Sequence, residues 1–163
     1  MKDYIQYLQD VLGLQNVMLP ASEAGKAQTH FFTLDGVFAP TEKHYCELVF
    51  LNILTQSKES FFLPEVRDLF DKMKNAMKLK NLQVLELDCT VEDRSQLPSE
   101  LAEICESRVV VVFSSFPKDI GELIFKGPGK WIETYSPAYL LEDAAAKKVV
   151  WNDLQKVMRE LDL

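Results

Sequence analysis

The run Arg108-Val109-Val110-Val111-Val112-Phe113-Ser114 constrains this chain more than any other. Four successive β-branched residues are stiff at χ1, and branched side chains of this kind pack well on a pleated surface. Because apolar groups then point to both sides, the strand needs cover on both faces. That is the situation of a parallel sheet flanked by helices.

The flanking pattern agrees. A second apolar stretch, residues 46–54 (CELVFLNIL), is interrupted only by Glu47 and Asn52 and predicts another buried strand. Residues 83–88 and 130–135 predict two more, and residues 30–34 a short one closed by the turn pair Asp35-Gly36. Pro64 is placed to begin a helix, where its missing N–H costs nothing, and Val66, Leu69, Phe70, Met73 and Met77 give that helix one apolar face. Pro98 begins a shorter helix with Leu101 and Ile104 inward, and residues 144–161 form a long final one. A leading helix over residues 4–12 ends at Gly13, residues 14–26 read as irregular, and residues 117–129 read as a loop. Strands alternating with helices predict an α/β fold: a three-layer α/β/α sandwich with a mainly parallel central sheet. The 163 residues suit one domain, and no internal repeat or linker divides them.

Composition narrows the function classes. With 47% hydrophobic residues the chain buries a core without disulfide staples. Cys46, Cys89 and Cys105 are odd in number and scattered, which points to reduced thiols and a cytoplasmic setting. No run is long and apolar enough for a membrane span. The net charge of −7 disfavours a phosphate-binding surface, because nucleic-acid affinity rests on basic stripes. The lysines at 72, 74, 78, 80, 147 and 148 are interleaved with acids and read as solvated helix faces.

In such sheets ligands bind outside the carboxyl ends of the strands. The loops there, residues 52–60, 88–96, 114–119 and 135–141, hold neither a phosphate-cradling glycine motif nor a nucleophile elbow. His30 and His44 precede the main strands and are expected away from that edge. Glu92, Asp93 and Asp119 are rim carboxylates expected to pair with Arg94 and Lys118. Three dispersed cysteines do not make a metal site, so neither metal nor cofactor is expected.

One stretch is more specific. Thr134-Tyr135-Ser136-Pro137-Ala138-Tyr139-Leu140-Leu141, followed by Lys147-Lys148-Val149-Val150-Trp151-Asn152-Asp153-Leu154-Gln155-Lys156, resembles the C-terminal block of the iron–sulfur uracil-DNA glycosylases. That family reads Thr-aromatic-His-Pro-Ala/Ser-x-Leu-Leu before a helix with a tryptophan and Leu-Gln-Lys. A weaker likeness covers residues 69–88. The resemblance implies a uracil-DNA glycosylase-like fold, but its functional positions do not carry over. Ser136 stands at the histidine that stabilises the departing base, removing an electrostatic contribution. Asn52-Ile53-Leu54-Thr55-Gln56 replaces the Gly-Glu-Ala-Pro-Gly stretch, without a carboxylate, and Leu85 falls at the base-reading asparagine. Cys89 and Cys105 are too few to hold a cluster.

The relic pocket implied by this resemblance is Asn52, Thr55, Leu85, Ser136 and Pro137. It predicts no catalytic residue and an inactive protein that binds another protein, in replication or repair. A divergent glycosylase acting on a flipped uracil or damaged base is the alternative. In layout the chain is also similar to the psi subunit of the bacterial clamp loader, a protein-binding accessory subunit. On that likeness Val17-Met18-Leu19-Pro20 and Phe31, Phe32, Phe61 and Phe62 are candidate partner contacts, unless the aromatics cover the sheet.

Overall fold

The structure, a computed structural model, describes residues 29–163. The expected leading helix over residues 4–12, the arm over 14–26 and the candidate contacts Val17 to Pro20 lie outside the described residues.

The quadruple valine run does what its stiffness dictates. It forms the centre of strand β5 (Cys105–Ser114), with β3 (His44–Ile53) on one side and β7 (Gly129–Tyr135) on the other, both parallel to it. Beyond β3 lies β4 (Val84–Thr90), also parallel. The edges are antiparallel: β1 (His30–Thr33) and β2 (Gly36–Val37) extend one side, and β6 (Ile124–Lys126) closes the other. The sheet is therefore seven-stranded and mostly parallel, in the order β2-β1-β4-β3-β5-β7-β6.

Strand alternation splits the four valines two and two. Val109 and Val111 join Phe50 and Phe113 under helices α1 (Pro64–Met77), α3 (Pro137–Glu142) and α4 (Lys147–Glu160). Val110 and Val112 join Leu51, Leu87 and Trp131 under helix α2 (Leu97–Ile104). Helices thus cover both faces, which is why the central strands carry apolar residues on both sides. On the α1 side four phenylalanine rings interlock. Phe50 stacks on Phe113 at 5.7 Å and meets Phe70 edge-on at 5.0 Å, while Phe61 stacks on Phe70 at 4.7 Å. Such pairs contribute roughly 0.5–1.5 kcal/mol each beyond their buried area.

The helices begin and end for local reasons. Pro64 occupies the first turn of α1, and Lys78 ends that helix in the left-handed region at φ 56°. The final helix starts at Lys147 rather than residue 144. Residues Ala144–Ala146 form a tighter 3-10 turn, whose Ala145 N–H donates to the Asp143 carboxylate at 3.0 Å. Helix α2 passes into β5 with no loop between them. Cys105 is already extended (φ −151°, ψ 159°), while its N–H still donates to the carbonyl of Leu101.

Several expectations are corrected. Residues 117–129 are not all loop, because Ile124–Lys126 folds back as β6 on β7. Three residues are too few to show a period. At the turn of this hairpin, Gly127 has φ 62° and lies so close to α2 that a Cβ would stand 2.5 Å from the carbonyl oxygen of Pro98. The turn after Ser136 is helix α3. Phe31, Phe32 and Phe61 are buried and only Phe62 is partly accessible, so these aromatics cover the sheet instead of offering a surface. The exposed phenylalanines are Phe116 and Phe125, at 74% and 78%.

All three cysteines are buried and free. Cys46 and Cys105 lie at the amino ends of β3 and β5, and the Cys46 thiol donates to the carbonyl of Glu106 at 3.7 Å. The neighbouring Cys105 thiol holds Cys46 below its ordinary pKa, while Cys46 and burial together push Cys105 far up; burial raises Cys89. Among the described residues no three His, Cys, Asp or Glu side chains cluster as metal ligands. No described helix is long and apolar enough to cross a membrane.

Candidate functional site

The connections of the parallel strands locate a crevice. From β3 the chain crosses by α1 to β4 on one side, whereas from β5 it proceeds to β7 on the other. The segments leaving β3 and β5 therefore diverge, and the space between them is where α/β sheets bind ligands. Here it is a cleft of about 640 Å³. It is bounded by residues 56–59, the start of α1, Ser115-Phe116 and helix α3. That volume falls within the range of roughly 300–1,000 Å³ usual for small-ligand sites.

The buried polar residues at the carboxyl edge are bonded mainly to each other. Glu59 ends a 3-10 turn (Ser57–Glu59), and this turn folds its carboxylate back over β3. The carboxylate accepts from the N–H of Thr55 (2.6 Å), the N–H of Gln56 (3.0 Å) and the hydroxyls of Thr55 (2.8 Å) and Ser115 (2.8 Å). A carboxylate has about four lone-pair sites, and four donors occupy them. Beneath it, the Asn52 amide donates to the Glu59 carbonyl and to Asp88 Oδ1, both at 2.9 Å. Asp88 also accepts the hydroxyl of Ser60. Register explains the pairing: Asn52 and Asp88 stand opposite each other on β3 and β4 and point to the same face. Asn52 Oδ1 is buried without a hydrogen-bond partner.

Ser136 is 1% exposed. Its hydroxyl accepts from the N–H of Tyr139 at 3.2 Å, making it the N-cap of α3, and lies 3.5 Å from the Ser115 hydroxyl. Pro137 follows as the first residue of the helix and is buried. Thr55 is exposed above Glu59. The structure therefore brings Asn52, Thr55, Ser136 and Pro137 to one edge. It does not bring Leu85, which pairs with Val49 on the opposite face of the sheet, in the α2-side core.

The rim is apolar and acidic. Phe116 projects beside the cleft, with Leu141 at 49% exposure. The charged lining is Lys58 with Glu59, Glu65 and Glu142, and Lys58 pairs with Glu142 at 3.6 Å across the mouth. Tyr135 and Tyr139 stack at 4.6 Å; desolvation and then the Asp143 carboxylate raise the Tyr139 phenol above its ordinary pKa.

Sequence reasoning missed Glu59, Ser60, Asp88 and Ser115. Glu59 lies six residues beyond the end of β3, and only the 3-10 turn returns it. Asp88 had a readable signal, a carboxylate near the carboxyl end of a strand and flanked by Leu87 and Cys89. Two other expectations change. His30 does reach the carboxyl edge, because β1 runs antiparallel and places it beside Thr90; burial lowers its pKa. Arg94 pairs with Glu133 at 2.7 Å rather than with its acidic neighbours, and Asp93 instead caps the turn at Ser95.

Compared with known proteins, the sequence matches no family model and no curated protein.

Proposed function

We propose that this chain is a catalytically inactive, cytoplasmic protein of uracil-DNA glycosylase-like fold, serving as a protein-binding accessory factor in DNA replication or repair. One observation carries the reading. The hydroxyl standing at the resemblance's histidine position is buried and used to cap α3, and Glu59, linked to it through Ser115, has its acceptor sites filled from within the chain. General acid–base work on a departing base needs a group within hydrogen-bond reach of substrate with capacity to spare. The exposed parts of the cleft are Phe116, Leu141 and an acidic rim, a surface suited to a protein segment and repellent to phosphates.

The test has two arms. Uracil-containing single- and double-stranded oligonucleotides incubated with the purified chain are expected to show no abasic product. In affinity capture at native expression, a specific protein is expected with the natural chain and lost with Phe116→Ser. Capture of no specific protein overturns the proposal.

A second reading, a divergent glycosylase, is favoured by Glu59 itself, a carboxylate folded back onto Thr55 in the stretch that stands for the resemblance's acid-bearing loop. Base excision abolished by Glu59→Gln or Ser136→Ala establishes that reading and overturns the first.

A further inference from the structure

On the face of the sheet that carries α1, α3 and α4, helices α1 and α4 leave between them a groove of about 250 Å³. Its walls are Leu69 and Met73 from α1, Leu140 from α3, and Val150 and Trp151 from α4. Trp151 is 36% exposed, although Val150, Leu154 and Val157 on the same helix are buried. The groove is smaller than the roughly 300–1,000 Å³ of a small-ligand site, a volume for one or two inserted side chains. Exposed tryptophan and methionine are typical anchors for an amphipathic helix lying in a groove.

Charge identifies the occupant. The chain carries seven more acids than bases, yet the charged residues lining this groove are Lys72 and Lys147, with no carboxylate. Lys72 is paired with Asp68 at 2.8 Å, whereas Lys147 and Lys148 make no ion pair among the described residues. Both stand in the first turn of α4, which holds no acid and whose cap position, Ala146, supplies no side-chain acceptor. The positive end of a helix dipole disfavours lysines there, so their placement has no local benefit, while together with the dipole they attract a carboxylate.

We propose that this groove docks an acidic amphipathic segment of a protein partner, two apolar side chains entering between α1 and α4 and a flanking carboxylate meeting Lys147 and Lys148. A concave seat and an overall charge of −7 favour a peptide over an anionic membrane. The inference goes beyond the cleft reading and uses a different face.

A library of random sixteen-residue peptides displayed on phage, selected against the full chain, tests it. Selected peptides are expected to share two apolar residues three or four positions apart beside Asp or Glu. Measured by fluorescence anisotropy, their affinity is expected to fall at least tenfold with Lys147→Glu and with Trp151→Ala, both exposed positions, and to be unchanged by Phe116→Ser. Selection of basic peptides, or affinity indifferent to the groove variants, overturns the proposal. So does sedimentation showing a dimer dissociated by Trp151→Ala, or co-pelleting with phosphatidylserine vesicles lost in the same variant. Because Phe116→Ser reports on the cleft separately, failure here leaves the proposed function standing.

Discussion

Replacing Asn52 with aspartate changes one atom in the polar layer beneath Glu59, and its consequence follows from distances. The amide nitrogen lies 2.9 Å from Asp88 Oδ1 and 2.9 Å from the carbonyl oxygen of Glu59, and Asn52 is fully buried. In Asn52→Asp a carboxyl oxygen occupies that place. Two carboxylates so close do not both ionise, and the pair holds one shared proton. That proton's pKa in the folded state is thereby raised above its unfolded value near 3.9. Below about pH 4 both states hold the proton, so the pair adds no penalty there. As pH rises, the unfolded chain releases the proton and the folded chain keeps it, so stability falls by about 1.4 kcal/mol per unit. If the proton is held up to pH 7, three units bring the loss to at most about 4 kcal/mol there, on top of a pH-independent loss of about 1 kcal/mol for the Glu59 carbonyl left without its donor. A domain holds roughly 5–15 kcal/mol in all, so the variant is marginal at neutral pH and close to normal in acid. Urea unfolding of natural and variant chains from pH 4.5 to 8, followed by circular dichroism and tryptophan fluorescence, measures the gap. A gap that stays flat across this range refutes the reasoning. A variant more stable than the natural chain means the amide is held at a cost for a ligand, not for the fold.

Three further outcomes are expected. Gly129→Ala sets a Cβ 2.2 Å from the carbonyl oxygen of Ser107, a backbone atom unable to yield cheaply, and should destabilise by about 3 kcal/mol or more, read from urea midpoints. Ser136→Ala removes the cap on the Tyr139 N–H and should cost about 1 kcal/mol, lowering the melting temperature by roughly 2–4 °C without creating or removing base excision. The three buried thiols should react with Ellman's reagent only as the chain unfolds, because burial holds Cys89 protonated and the neighbouring Cys46, together with burial, does the same for Cys105. If one reacts earlier it should be Cys46, whose pKa is lowered; rapid labelling of Cys89 in the native protein contradicts this.

The α/β sheet was legible from the sequence because its strands are buried on both faces, and burial on both faces leaves continuous apolar runs such as Val109–Phe113. Helix α1 was legible from Pro64 and the spacing of Val66, Phe70 and Met77. Strand β6 was hidden because its pairing with β7 is a property of the hairpin and not of three residues. The carboxyl edge was half legible. Asn52 and Ser136 lie where strands end, so counting finds them, but their partners Asp88, Glu59 and Ser115 are joined to them through register and through one 3-10 turn. Counting residues also put Leu85 at the edge, three positions short of Asp88, an odd offset that places its side chain on the opposite face of the sheet.

The direct passage from α2 into β5 sets a limit on how this chain tolerates change in length. Ile104 is helical and Cys105 extended, so there is no spare residue in which to absorb an insertion. A single added residue at this junction either shifts β5 by one place against both β3 and β7, exchanging Val109, Val111 and Phe113 with the valines of the other core, or unwinds the last turn of α2. A codon-insertion scan would therefore leave a gap in the surviving variants at 104/105, while the exposed residues 118 and 119 accept additions that leave both cores unchanged.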